Sequence, residues 1–145
     1  MLKGFPDLPP VWFAGAAAAS WVLANYVPLI RFPEGFGRLF IVAGLGLICW
    51  AGIWFWRKNT PIEPGHPPRA LIVEGPFRLN RNPIYTGLVL ILVGFAAGQA
   101  AVSAFIPALL FPWIITRRFV LPEEAALRAA FGAEAEDWLA TTRRW

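Results

Sequence analysis

Residues 83–116 read PIYTGLVLILVGFAAGQAAVSAFIPALLFPWIIT, 34 positions with no charged side chain. A hydrocarbon core of about 30 Å is crossed by about 20 helical residues, so this run is too long for one span and slightly short for two. Its plausible break is Gly98-Gln99-Ala100, which implies a tight helical hairpin whose helices continue into polar flanks. Pro107 and Pro112 each remove a backbone donor from the second of these helices and predict a bend or wedge-like opening there.

Outward from this run lie two more uncharged stretches, Leu39 to Trp56, bounded by Arg38 and Arg57, and Val11 to Ile30. Trp50, Trp54 and Trp56 fall where an interfacial aromatic belt is expected. The expected fold is therefore an all-α integral membrane protein with about four transmembrane helices, over residues 11–30, 38–57, 83–98 and 100–120. At 145 residues it makes one domain, 1–145. Composition agrees: 57% of the residues are hydrophobic, with 8 Trp and 12 Phe, and the mean hydropathy is +0.53. The first span begins late and lacks a convincing small-residue cleavage site, so it is read as retained and not as a signal peptide.

Charge supplies an independent topology signal. Of 13 Lys and Arg, five lie in the stretch from Arg57 to Asn82 and five more from Arg117 onward. A four-helix topology puts both segments, together with Lys3, on one side and only Arg31 and Arg38 on the other. The positive-inside rule then makes both termini and the central loop cytoplasmic, in what is expected to be the inner or cytoplasmic membrane. Because these cations flank apolar spans, they argue against nucleic-acid binding despite the net charge of +4. One cysteine, Cys49, and one histidine, His66, leave no material for disulfides or a metal site. Cys49 reads as a small buried hydrophobe.

The chemistry-bearing residues lie in the cytoplasmic segments. Residues 58–82 form a Pro/Gly-rich connection of a length that is usually functional or disordered. It ends in Gly75-Pro76-Phe77-Arg78-Leu79-Asn80-Arg81-Asn82-Pro83-Ile84-Tyr85-Thr86-Gly87. Asn82 and Pro83 suit a helix start, with Asn as cap and proline where no donor is needed. Tyr85 and Gly87 at the membrane boundary are not explained by capping. With Arg78 and Arg81 just outside, they make a polar pocket that favours an anionic group at a helix N-terminus.

Arg117-Arg118 precede Pro122-Glu123-Glu124, the start of a helical tail over 122–145 that Gly132 punctuates. The two adjacent carboxylates are either a solvated helix end complementing the dipole, or a pair in which one holds a ligand ammonium and the other shapes an acceptor site. Gly44 and Gly46 in the second span either permit close helix packing or let a ligand approach the backbone.

In order along the chain, Asn59-Thr60-Pro61-Ile62-Glu63-Pro64-Gly65, Leu71-Ile72-Val73-Glu74-Gly75-Pro76-Phe77-Arg78 and Arg81-Asn82-Pro83-Ile84-Tyr85-Thr86-Gly87 resemble the isoprenylcysteine carboxyl methyltransferase and phospholipid methyltransferase superfamily. The C-terminal signature follows as Glu123-Glu124, Leu127, Phe131-Gly132, Trp138 and Arg143-Arg144-Trp145. The resemblance implies a membrane-embedded enzyme that moves a methyl group from S-adenosylmethionine, leaving S-adenosylhomocysteine, to a lipidic or amphiphilic acceptor admitted through a side opening. By matching position, Gly75, Pro76, Arg81, Asn82, Pro83, Tyr85 and Gly87 line the cofactor side, Leu71 and Val73 flank the adenine, and Glu124 completes the paired glutamates. Gly44 and Gly46 match a Gly-x-Gly of the phosphatidylethanolamine enzymes. Arg118 and Glu123 match positions by the acceptor group, and with Tyr85, which would help remove a proton from an amine or thiol, they are the candidate catalytic residues.

The chain departs from the pattern in places. Asn82 stands where isoprenylcysteine enzymes commonly have histidine, which excludes binding through a charged imidazole. Ala135 replaces the aromatic of Phe-Gly-x-x-aromatic, and the next aromatic is Trp138. The acceptor stays open between a prenylated thiol-acid carboxylate, a phospholipid amine and a small thiol. Competing readings are a non-catalytic lipid-binding or scaffold protein and a nicotinamide-dependent membrane reductase. Four short spans leave little interior, which makes homo-oligomers plausible.

Overall fold

A computed structural model describes residues 7–31, 33 and 35–145; Lys3, counted above among the cytoplasmic charges, lies outside them. The helices are α1 (Pro9–Tyr26), α2 (Gly37–Arg57), α3 (Pro83–Gly98), α4 (Phe105–Ile115), α5 (Leu121–Phe131) and α6 (Ala133–Thr141). Among the described residues no strand forms, and a bridge between Arg31 and Ala101 is isolated.

Among the described residues two helices are long and apolar enough to cross a membrane: α2, and the unbroken helical stretch Val102–Phe131 that contains α4 and α5. At 16 residues, α3 is a shorter apolar helix. Their outward side chains are not those of a water-soluble protein. Trp56 is 79% exposed and Leu39 68% on α2, and Leu109 is 75% exposed on α4. Apolar surface of this extent facing water would be a liability, and facing lipid it costs nothing.

Small residues bring α2 and α3 into backbone contact. Gly37, Gly44 and Ala51 recur every seven residues on α2, and Gly87 and Gly94 do so on α3, a spacing that keeps them on one helix face. A Cβ on Gly44 would stand 2.5 Å from the carbonyl oxygen of Gly87, and one on Gly37 would stand 2.5 Å from that of Gly94. The two helices are therefore antiparallel and touch main chain to main chain. Gly44 and Gly87 serve this contact, whereas Gly46 is exposed and meets nothing within 4 Å.

On the other face of α3, Tyr85 and Leu92 pack with Ala108, Phe111, Ile115, Phe119 and Val120 into the largest core cluster. Phe13 of α1 closes it, edge-on to Phe111 at 6.2 Å. At the far end two buried hydroxyls donate to carbonyls, Ser20 to Ala104 at 2.8 Å and Ser103 to Leu23 at 3.1 Å. They tie α1 to the start of α4, and the bonds satisfy hydroxyls that burial would otherwise leave unpaired.

Several local expectations are modified. α1 ends at Tyr26 instead of reaching Ile30, because Pro28 disfavours helical backbone in the residue before it. α3 does end at the anticipated Gly98, and Ala100 takes the left-handed turn conformation at φ +54°. Pro107 lies in the first turn of α4, where its missing donor is not needed, so Pro112 alone is interior. The tail is not a separate helix starting at Pro122. A π-type turn over Thr116–Val120, in which Leu121 N–H reaches Thr116 O, carries the helix past the proline. After α6 the chain leaves helical geometry at Thr142. Cys49 is exposed on α2, not buried.

The glycine contact makes a direct prediction. Gly44→Val should destabilise the protein by about 1–3 kcal/mol through overpacking against Gly87. Gly46→Val should leave the unfolding midpoint in detergent near wild type.

Candidate functional site

The site forms where α3 begins, because three segments distant in sequence converge there. The main chain of Arg81 donates to Arg143 O at 2.9 Å. Its guanidinium donates from Nε to Thr142 O at 2.6 Å, from Nη1 to Glu124 Oε1 at 2.9 Å, and from Nη2 to Leu139 O. Arg144 forks onto the same carboxylate, Nε to Oε1 and Nη2 to Oε2, both at 2.9 Å. Glu124 is 3% exposed. Without both guanidiniums its charge would be costly to bury, and with them it locks the central loop, α5 and the C-terminal segment together.

Asn82 also takes part in this lock. It occupies the N-cap position of α3 but makes no side-chain capping bond, because its Nδ2 donates to Arg144 O at 3.0 Å. The loop just before the helix is instead braced by Asn80, whose Oδ1 accepts from Asn82 N at 3.0 Å and whose Nδ2 donates to Thr86 Oγ1 at 3.1 Å. Arg81 and Asn82, expected at the cofactor, thus have their donors engaged by the protein itself.

Glu123 is the other half of the pair and is built differently. It accepts a hydrogen bond from the Tyr85 hydroxyl at 2.6 Å, and among the described residues it has no cation partner. Tyr85 is itself buried against Phe119, so the phenol is fixed and the carboxylate is aimed. One glutamate is saturated by arginine; its neighbour is an acceptor with capacity remaining.

A second wall comes from the loop and α6. Gly75 has φ +59°, and a Cβ there would run into the Trp54 indole, so glycine is needed on both counts. Ile72 and Phe77 are buried beside Trp54, Ile84 and Trp138. Lys58 reaches across to Glu74 at 2.5 Å, which holds the Glu74 carboxyl below its usual range. Leu71, Val73 and Gly75 flank this wall half-buried, while Pro76 and Pro83 are buried. The Trp138 indole N–H is buried and has no partner among the described residues. An orphaned donor of this kind fits a ligand that brings an acceptor.

Arg118 is not joined to Tyr85 and Glu123. Its guanidinium forks onto Asp7, at 2.5 and 3.2 Å, and lies 4.9 Å over the Trp12 ring. The sequence contained no signal for the Asp7 partnership, which spans 111 residues. The unpartnered Trp138 donor was likewise not foreseeable, although Trp138 itself stood in the C-terminal signature.

The phospholipid methyltransferase family model matches residues 35–134, and the chain belongs to that family. It is an integral membrane protein of a methyltransferase family, with α1 before the matched region and most of α6, with Arg143-Arg144-Trp145, after it. No curated protein and no solved structure matches it.

The two glutamates should respond oppositely to mutation. Glu124→Ala strands Arg81 and Arg144 and should cost about 3–5 kcal/mol. Glu123→Ala should cost much less, which thermal unfolding of the two variants in detergent would show.

Proposed function

We propose that the protein transfers a methyl group from S-adenosylmethionine to the amine of a phospholipid at the cytoplasmic face of the membrane. The observation that carries this reading is the 2.6 Å Tyr85–Glu123 hydrogen bond, which presents a carboxylate without a cation beside a latched loop in a phospholipid methyltransferase family chain. The ion pairs from Arg81 and Arg144 to Glu124 favour a single cytoplasmic end for loop and tail. In this reading α1 and α3 cross the membrane as well, giving four spans.

S-adenosylmethionine, when bound, would supply a methyl group on a sulfonium, from which the neutral thioether S-adenosylhomocysteine is a good leaving group. Leu71, Val73, Gly75 and Pro76 would line it, and Trp138 Nε1 would donate to one of its acceptors. What remains for the protein is positioning and one proton. A phospholipid amine is protonated at neutral pH and has no lone pair to attack with. Glu123 accepts that proton, and the Tyr85 hydroxyl holds the carboxylate in place while it does so. Glu124, clamped by two arginines, keeps the loop and the C-terminal segment closed over the site. A carboxylate acceptor would need no such base.

Glu123→Gln should therefore lower methylation of phosphatidylethanolamine by about 10²-fold or more, and methylation of a prenylcysteine carboxylate much less. Transfer of radiolabelled methyl to each lipid measures both. Equal losses would contradict the base role, and absence of transfer together with absence of S-adenosylhomocysteine binding would favour a non-catalytic lipid-binding protein.

A further inference from the structure

A groove of about 530 Å³ runs between α1 and α4, within the range of pockets that hold sizeable ligands. Val11, Gly15 and Ala19 line one side and Ile106, Pro107 and Leu110 the other. Gly15 has nothing within 4 Å of where a Cβ would be, and Ile106 and Leu110 are exposed, so the groove opens sideways to the surroundings of the helices. Its inner wall includes Phe111, from the same core cluster that holds Tyr85.

The charge at one end of this groove is what identifies an occupant. Trp12 lines the groove and also joins its polar mouth: its indole N–H donates to Asp7 at 2.7 Å, and Arg118 lies over its ring. Arg118 and Asp7 are both about half exposed. A guanidinium held by an accessible carboxylate in fork geometry is matched equally well by a phosphate. An apolar trough ending in a replaceable anion on an arginine has the charge pattern of a glycerophospholipid.

We propose that one acyl chain of a glycerophospholipid lies in the α1–α4 groove, and that Asp7 and Arg118 form a latch at its mouth which the lipid phosphate opens by taking the place of the Asp7 carboxylate. The inference rests on the proposed function for what the lipid is doing there, since it names how an acceptor would be held. Arg118 then acts as a headgroup-positioning residue. Asp7 and α1 precede residues 35–134, so the latch is supplied from outside the family-matched part of the chain.

The test uses the full chain in detergent and two probes with the same mid-chain diazirine, one phosphatidylethanolamine and one diacylglycerol, with labelled peptides mapped by mass spectrometry. Photolabelling should concentrate on α1 and α4 around Gly15, Ala19 and Leu110. Ala19→Trp, at an exposed position that fills the groove, should remove most of it without lowering the unfolding midpoint. Asp7→Asn should raise labelling by phosphatidylethanolamine severalfold and leave that by diacylglycerol unchanged. Labelling spread evenly over the outer face of α2 would overturn the proposal, as would indifference to Ala19→Trp, an equal response of both probes to Asp7→Asn, or crosslinking of two protein copies through the groove. Because labelling needs no turnover, intact labelling without methyl transfer would fail the proposed function alone, and transfer without groove labelling would fail this inference alone.

Discussion

The buried carboxylate of Glu124 is the constraint around which the end of the molecule that carries Tyr85 and Glu123 is organised. Neither Arg81 nor Arg144 has another carboxylate within ion-pair distance among the described residues, and Glu124 could not remain charged at 3% exposure without them. The three residues lie in the central loop, at the start of α5 and after α6. Satisfying one charge therefore fixes three segments whose local sequences could not hold them. Arg81 adds bonds to Leu139 and Thr142 carbonyls, and Asn82 adds one to Arg144, so the C-terminal segment is docked through backbone as well as charge. Glu123, one residue before the clamp, is positioned by its neighbour's ion pairs and oriented by Tyr85.

The apolar part of the molecule serves that end. Glycines at seven-residue intervals let α2 and α3 meet at the backbone, so that close packing holds the two helices together. This contact sets the height of Pro83, and with it the first turn that carries Tyr85. On the opposite face of α3, Phe119 packs against the Tyr85 ring. The π-type turn at Thr116–Val120 lets the helix pass Pro122 without ending, which delivers Glu123 and Glu124 to the loop instead of releasing them into solvent.

How much of this was legible from the sequence depended on whether the cause was local. The α3 boundaries followed from Pro83 and the Gly98 break, and the ends of α2 from Arg38 and Arg57, because chain length and charge decide where an apolar helix stops. Tyr85 and Glu123 were both singled out, but their mutual hydrogen bond was not, since it joins positions 38 apart. Gly44 carried two readings, and only the position of Gly87 across the interface shows that its missing side chain serves packing. Arg118 pointed to an acceptor site through its motif, while its present partner Asp7 lies near the other end of the chain, where no pattern marks it. Asn82 followed the capping rule for its position and not for its side chain, because a carbonyl of the C-terminal segment competes for the same amide.

In the proposed function, the Glu124 clamp assembles a site for an S-adenosyl ligand between the loop, α3 and α6. Calorimetric titration of S-adenosylhomocysteine into the full chain in detergent, beside a folded Arg144→Lys variant that keeps the charge but loses the fork, tests it most directly. Saturable one-to-one binding to the wild type, clearly weakened in Arg144→Lys, is the expected result. No binding at millimolar ligand, or equal binding to both proteins, would contradict it.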